Sequence, residues 1–124
     1  MNENTVEQNP KWVRVMADYS STGLWHKNGP SVEPSYLPVS APLLERLDAW
    51  CGWYERNDDY LPEAERKSAF DYQGFGAEGL AIARAIKAEL PDWTVVYFDE
   101  QAYHLSRQGR GVARETYEYE IQSA

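Results

Sequence analysis

The chain has 124 residues and carries twenty Asp and Glu against twelve Lys and Arg, a formal charge of −8 at pH 7. That surplus repels polyanions and attracts a basic partner, which argues against nucleic-acid binding. Hydrophobic residues at 43% and aromatics at 14% exclude a disordered chain, and the length accommodates one core.

The expected organisation is therefore a single α+β domain over residues 11–124 behind a flexible lead-in at 1–10. The polar, acidic start has neither the basic nor the apolar region of a secretory leader. No apolar run approaches the roughly 18 residues that cross a bilayer. Cys51 is the only cysteine, so no internal disulfide forms. A cytoplasmic location is the expectation, with no membrane contact.

Residues 11–19 (KWVRVMADY) alternate, with Val13, Val15 and Ala17 on one face and Trp12, Arg14 and Met16 on the other. Period two with β-branched residues predicts a strand. Residues 20–39 read as loop, because Ser20, Ser21, Gly23, Asn28, Gly29, Pro30, Pro34 and Pro38 interrupt every period. Leu24 and Trp25 inside this polar stretch either pin the loop to the core or meet a ligand directly.

Ser40 is a good N-cap, Pro42 fits a first helical turn and Glu45 suits the positive end of the helix dipole. Leu43, Leu44, Leu47, Trp50, Cys51 and Tyr54 then fall on one helical face, and the pattern stops near Asn57. Residues 56–67 (RNDDYLPEAERK) predict an exposed acidic connection with a helical turn after Pro62. A second helix is expected over 75–90, with Phe75, Leu80, Ile82, Ala83, Ile86 and Leu90 as its buried stripe. Gly79 marks a close approach within it, and Pro91 ends it.

Residues 93–98 (WTVVYF) form the strongest strand pattern. Asp99-Glu100 predicts a turn, 102–105 a short return strand and 107–111 (RQGRG) a glycine-rich turn. Residues 116–121 alternate, placing Tyr117, Tyr119 and Ile121 inward and Glu118 and Glu120 toward water. The predicted order is β-α-α-β-β-β. It gives a three- to four-stranded mixed or antiparallel sheet with two helices packed on one face.

Residue chemistry points away from catalysis. Gly74, Gly76 and Gly79 match a dinucleotide-type glycine spacing, but residues 67–73 before them lack the buried strand that such a loop needs. Close helix packing is the plainer use of these glycines. His26 and His104 are the only histidines, and no spacing gives a zinc set. Asp18 near His26, or Asp99 and Glu100 near His104, would permit acid–base work, against the commoner use of such residues on a solvated surface. Cys51 sits on an apolar helix face, the setting of an inert thiol. We expect no cofactor, no metal and no catalytic residue.

The acidic residues are unevenly placed. Between Leu43 and Glu65 stand seven carboxylates against only Arg46 and Arg56. This is either solvated surface or a docking patch for a basic protein. The contact candidates are Asp58, Asp59, Glu63 and Glu65 with the neighbouring aromatics Trp53 and Tyr60, then Glu118 and Glu120. Arg107, Arg110 and Arg114 are diluted by Glu115, Glu118 and Glu120, which again disfavours nucleic acid.

An ordered series of short motifs adds to this. It runs through Met16-Ala17-Asp18-Tyr19, Gly23-Leu24-Trp25 and Leu37-Pro38-Val39-Ser40, which opens the Leu-rich helix with Trp50 and Tyr54. It continues with Phe75, Glu78-Gly79 and the Ala-rich helix, then 96–100 (VYFDE) and 117–121 (YEYEI). The series resembles small bacterial immunity-type proteins associated with polymorphic or contact-dependent growth-inhibition toxins, over most of residues 11–121. The resemblance implies a cytoplasmic, non-enzymatic inhibitor, monomeric or weakly dimeric. It would neutralise a basic C-terminal toxin domain, a nuclease in many such systems, by acidic complementarity. The alternative is a small ligand-binding or enzymatic domain using the 18–30 loop around Trp25 and His26.

Overall fold

A computed structural model describes residues 11–67, 69–106 and 112–123. Strand β1 (Trp12–Val15) is followed by the two-residue strand β2 (Leu24–Trp25) and helix α1 (Ala41–Glu55). Helix α2 (Tyr72–Glu89), strand β3 (Thr94–Phe98), helix α3 (Glu100–Ser106) and strand β4 (Glu118–Glu120) complete the order. The four strands form one mixed sheet in the order β2-β1-β3-β4. The central pair β1–β3 is parallel, with Val13 opposite Val95 and Val15 opposite Tyr97. The outer pairs β1–β2 and β3–β4 are antiparallel. The α+β class and the mixed sheet are as expected from the sequence.

Alternation in the strands builds the core. Val13, Val15, Val95 and Tyr97 lie on one face of the sheet and are fully buried. Helix α2 is tied to β3 by the Tyr97 hydroxyl, which donates to the Gly76 carbonyl at 3.0 Å. Helix α1 packs on α2 through Trp50, whose Nε1 donates to the Phe75 carbonyl at 3.0 Å while the two rings stack at 4.6 Å. The predicted stripe of α2 is buried at Phe75, Ile82, Ala83, Ile86 and Leu90, and Leu80 is half-buried. Each such side chain removed from water contributes about 1.5–3 kcal/mol before entropy is counted.

Gly79 allows the three elements to meet. A Cβ there would lie 2.5 Å from Trp50 Cζ2 and 2.5 Å from the Tyr97 hydroxyl. The close approach expected at this position is present, and the three glycines of the dinucleotide-like spacing all lie inside α2. Gly23, at φ +80°, makes the equivalent contact between the start of β2 and α1, 2.6 Å from Cys51 Sγ if a Cβ were added.

Several expectations are corrected. Leu24 and Trp25 belong to a strand, not a loop: they pair with Arg14 and Val15, and Leu24 is fully buried. Residues 102–105 do not return as a strand. Asp99 instead opens α3, its Oδ1 accepting from the Ala102 amide at 3.0 Å and its carbonyl from the Tyr103 amide at 2.9 Å. The position beside β3 that a return strand would occupy is filled by β4. Helix α2 begins at Tyr72 and not at Phe75, because the Asp71 carboxylate caps the Gly74 amide at 2.9 Å. Ser40 precedes α1 as expected but makes no side-chain cap; its amide and hydroxyl donate to Glu89, fastening the start of α1 to the end of α2. The glycine-rich turn at 107–111 and the lead-in at 1–10 lie outside the described residues.

Candidate acidic docking surface

The connection between α1 and α2 is a braced loop. Its pivot is Asn57, which is buried. The Asn57 carbonyl accepts from the Tyr19 hydroxyl at 2.6 Å, its Oδ1 accepts from the Asp59 amide at 2.9 Å, and its Nδ2 donates to the Tyr72 hydroxyl at 3.3 Å. Asp58 Oδ2 accepts from the Lys67 amide at 2.9 Å, closing the loop on itself. Arg66 folds back along the loop and donates to the carbonyls of Leu61 and Asp59, both at 2.9 Å. The expected helical turn after Pro62 is present as a 3-10 turn at Glu63–Glu65.

This bracing divides the acidic candidates. Asp58 and Asp59 are half-buried and hold the loop together, whereas Glu63 and Glu65 are exposed. Tyr60 is 73% exposed and stands edge-on to Tyr19 at 5.8 Å. Trp53 is half-buried and packs on Phe75 at 5.3 Å and Phe70 at 6.3 Å, so it belongs to the edge of the core. Sequence reasoning identified the charged stretch but not Asn57, Tyr19 or Tyr72, which order it. A polar residue in an acidic run carries no sign of burial.

The loop borders a cleft of about 390 Å³ lined by Asp59, Glu63, Arg66, Phe70, Tyr72 and His104. The Tyr72 hydroxyl donates to Asp59 Oδ2 at 2.7 Å, and the Tyr72 ring stacks on His104 with centroids 4.1 Å apart. Burial, the bond to Asp59 and the charges of Asp59 and Glu100 push the Tyr72 phenol up to about 12. The neighbouring Tyr54 phenol, which donates to Glu100, is also pushed up, by burial first and then by Glu100. Protonated tyrosines of this kind are donors and apolar walls, not bases.

The remaining candidates sit elsewhere. Glu118 is not on an open wet face: its side chain is only 13% exposed and lies between Arg14 at 3.4 Å and Arg114 at 3.0 Å. Glu120 is exposed on edge strand β4. Trp25 donates from Nε1 to the Met16 carbonyl at 2.8 Å, and His26 stands edge-on to Tyr36 at 5.2 Å, so both serve local structure. Cys51 is buried, and desolvation raises its thiol to about 11.

Among the described residues, no group of three His, Cys, Asp or Glu is placed to hold a metal ion. No helix among them is long and apolar enough to cross a membrane. No curated protein matches the chain by sequence. The family model described as Serratia CdiI immunity protein-like matches residues 11–100, which include β1 to β3, both long helices and the braced loop. The chain belongs to that family and is an immunity-type protein of contact-dependent inhibition systems.

Proposed function

We propose that this chain neutralises the basic C-terminal domain of its cognate toxin, a nuclease, by binding it through the face formed by residues 58–67 with Tyr19 and Tyr60. The observation that carries this reading is the braced loop. It presents Glu63, Glu65 and a 73% exposed Tyr60 from a backbone already fixed by side-chain bonds. A surface ordered before contact loses less entropy on binding. Exposed aromatics beside a charged rim are the usual energetic pattern of tight interfaces.

Charge supports the same face. Asp58, Asp59, Glu63 and Glu65 outnumber Arg66 and Lys67 within the segment. Burial first, then neighbouring Tyr60 and the carboxylates of Asp59, Glu100 and Glu55, push up the Tyr19 phenol beside it. Negative potential of this kind steers a basic partner and fixes its register. The inhibitor acts in the cytoplasm, without catalysis, as a monomer or weak dimer.

The test is the pair of reversals Glu63→Lys and Glu65→Lys, with Tyr60→Ala. These residues are exposed, so the fold tolerates the changes, unlike replacement of Asp58 or Asp59. Association with the cognate toxin domain should slow by about tenfold or more for the reversals, and its salt dependence should flatten. Unchanged association and unchanged protection of cells would place the interface on another face.

A further inference from the structure

The cleft beside the braced loop has features that the docking reading alone does not require. Its walls are fixed aromatic planes. Tyr72 and His104 stack with an interplanar angle of 14°, and Phe70 stands edge-on to Tyr72 at 4.9 Å. Its mouth carries two carboxylates with spare acceptor capacity. Asp59 uses Oδ2 for the Tyr72 hydroxyl, and its Oδ1 has no donor among the described residues. The Glu63 carboxylate has no side-chain partner among them.

Arg66, the cation at the mouth among the described residues, does not neutralise these acids by contact. It donates from Nε to the Leu61 carbonyl and from Nη2 to the Asp59 carbonyl, which holds the guanidinium on the loop backbone, and it forms no ion pair with Asp59 or Glu63. An anion entering the cleft would meet both carboxylates. A purely apolar group would strip water from them without replacing its hydrogen bonds. A planar cation satisfies both demands: flat faces for the aromatic walls and several N–H groups for the carboxylate oxygens.

We propose that this cleft receives one arginine side chain of the toxin, its guanidinium held between Glu63 and Asp59 and lying against the Tyr72–His104 walls. The assignment rests on the docking reading and names the chemistry of one contact within it. Arginine fits better than lysine because a guanidinium is planar and forked, while an ammonium is a compact, strongly hydrated point charge.

The probe is Nα-acetyl-arginine amide, titrated into the isotope-labelled full chain and followed by NMR. Its neutral isostere Nα-acetyl-citrulline amide serves as control. Saturable shifts at the Tyr72 and His104 rings are expected. The response should weaken by about tenfold with Glu63→Gln, which removes one charge-assisted contact, and by about tenfold or more with the citrulline compound, which removes the charge from both. Toxin binding is measured in parallel on Glu63→Gln and Glu65→Gln. Faster dissociation for Glu63→Gln than for Glu65→Gln supports the proposal.

Equal response to the arginine and citrulline probes, or no change at Tyr72 and His104, overturns the cleft assignment. If both glutamine variants then still slow toxin association alike, the docking reading stands without it. Toxin binding indifferent to both variants overturns the docking reading and the toxin arginine with it.

Discussion

The Tyr72 hydroxyl donates to Asp59 at 2.7 Å, joining the first turn of α2 to the acidic loop that precedes it. The bond links a fold element to the braced loop proposed for docking, so its loss should be felt locally. Tyr72→Phe keeps the ring on His104 and removes the hydroxyl, which donates to Asp59 and accepts the longer bond from Asn57 Nδ2. A hydrogen bond to a charged acceptor contributes about 1.5–3 kcal/mol, and partial exposure puts this one at the lower end. We expect faster amide exchange at Asp59 and Lys67, whose amides bond within the loop, with little change at Val95 or Tyr97 in the sheet. Uniform loss of protection across sheet and loop would show that the bond supports the whole fold.

The same tyrosine predicts an alkaline limit to stability. Tyr72 and Tyr119 are each raised from 10.0 to about 12, burial being the largest cause for both. Above the ordinary tyrosine value the unfolded chain releases these protons while the folded chain retains them. The folded state then binds more protons, and stability falls as pH rises. The contribution is intact below pH 10 and is lost between about 10 and about 12. Denaturant midpoints measured across that window should drop with the appearance of tyrosinate absorbance. A flat profile would mean that these phenols ionise in the native state as freely as in the unfolded one.

Gly79→Ala sets helix propensity against packing. Alanine favours an exposed helix interior by about 1 kcal/mol over glycine. Here the added methyl would meet Trp50 and Tyr97, both essentially inaccessible and each held by a hydrogen bond from its polar atom. Neither ring can yield without moving α1 or β3. Overpacking costs about 1–3 kcal/mol, so the net effect is a lower urea midpoint with an unchanged slope. An unchanged or raised midpoint would mean that α1 shifts on α2 at little cost.

These positions show what the sequence alone revealed. The strands at Trp12–Val15 and Thr94–Phe98 and the two long helices were legible, because burial on one side writes a period of two or 3.6 into the chain. The close approach at Gly79 was legible because glycine is unfavourable inside a helix without such a reason. Strand β2 has two residues, too few to show alternation, and it exists because β1 offers an edge. A return strand is expected at 102–105, where α3 lies, because its cap, Asp99, also looks like a turn residue; β4 takes the place beside β3. The cleft was not legible: Asp59, Tyr72 and His104 meet only through the fold.

The Arg14–Glu118 pair gives the last prediction. Arg14 projects from the central strand β1, its guanidinium 5.0 Å from the Trp12 ring, with side-chain exposure of 14% for Arg14 and 13% for Glu118. Its Nε is buried without a partner among the described residues, so the charge depends on Glu118 and on the weak bond to the His26 carbonyl. Glu118→Gln leaves that cation short of its counter-charge, and breaking a buried pair from one side costs about 3–5 kcal/mol. The 3.4 Å separation and residual exposure lower the expectation to about 1–3 kcal/mol. Arg14→Met combined with Glu118→Gln removes both charges and should recover most of the loss. Arg114→Ala should cost under about 1 kcal/mol, because that side chain is 67% exposed. Denaturation of the wild type, Arg14→Met, Glu118→Gln and the double variant completes a double-mutant cycle, with Arg114→Ala as the surface control. Additive losses at Arg14 and Glu118 would mean that the pair is not coupled and that burial alone holds Arg14 in place.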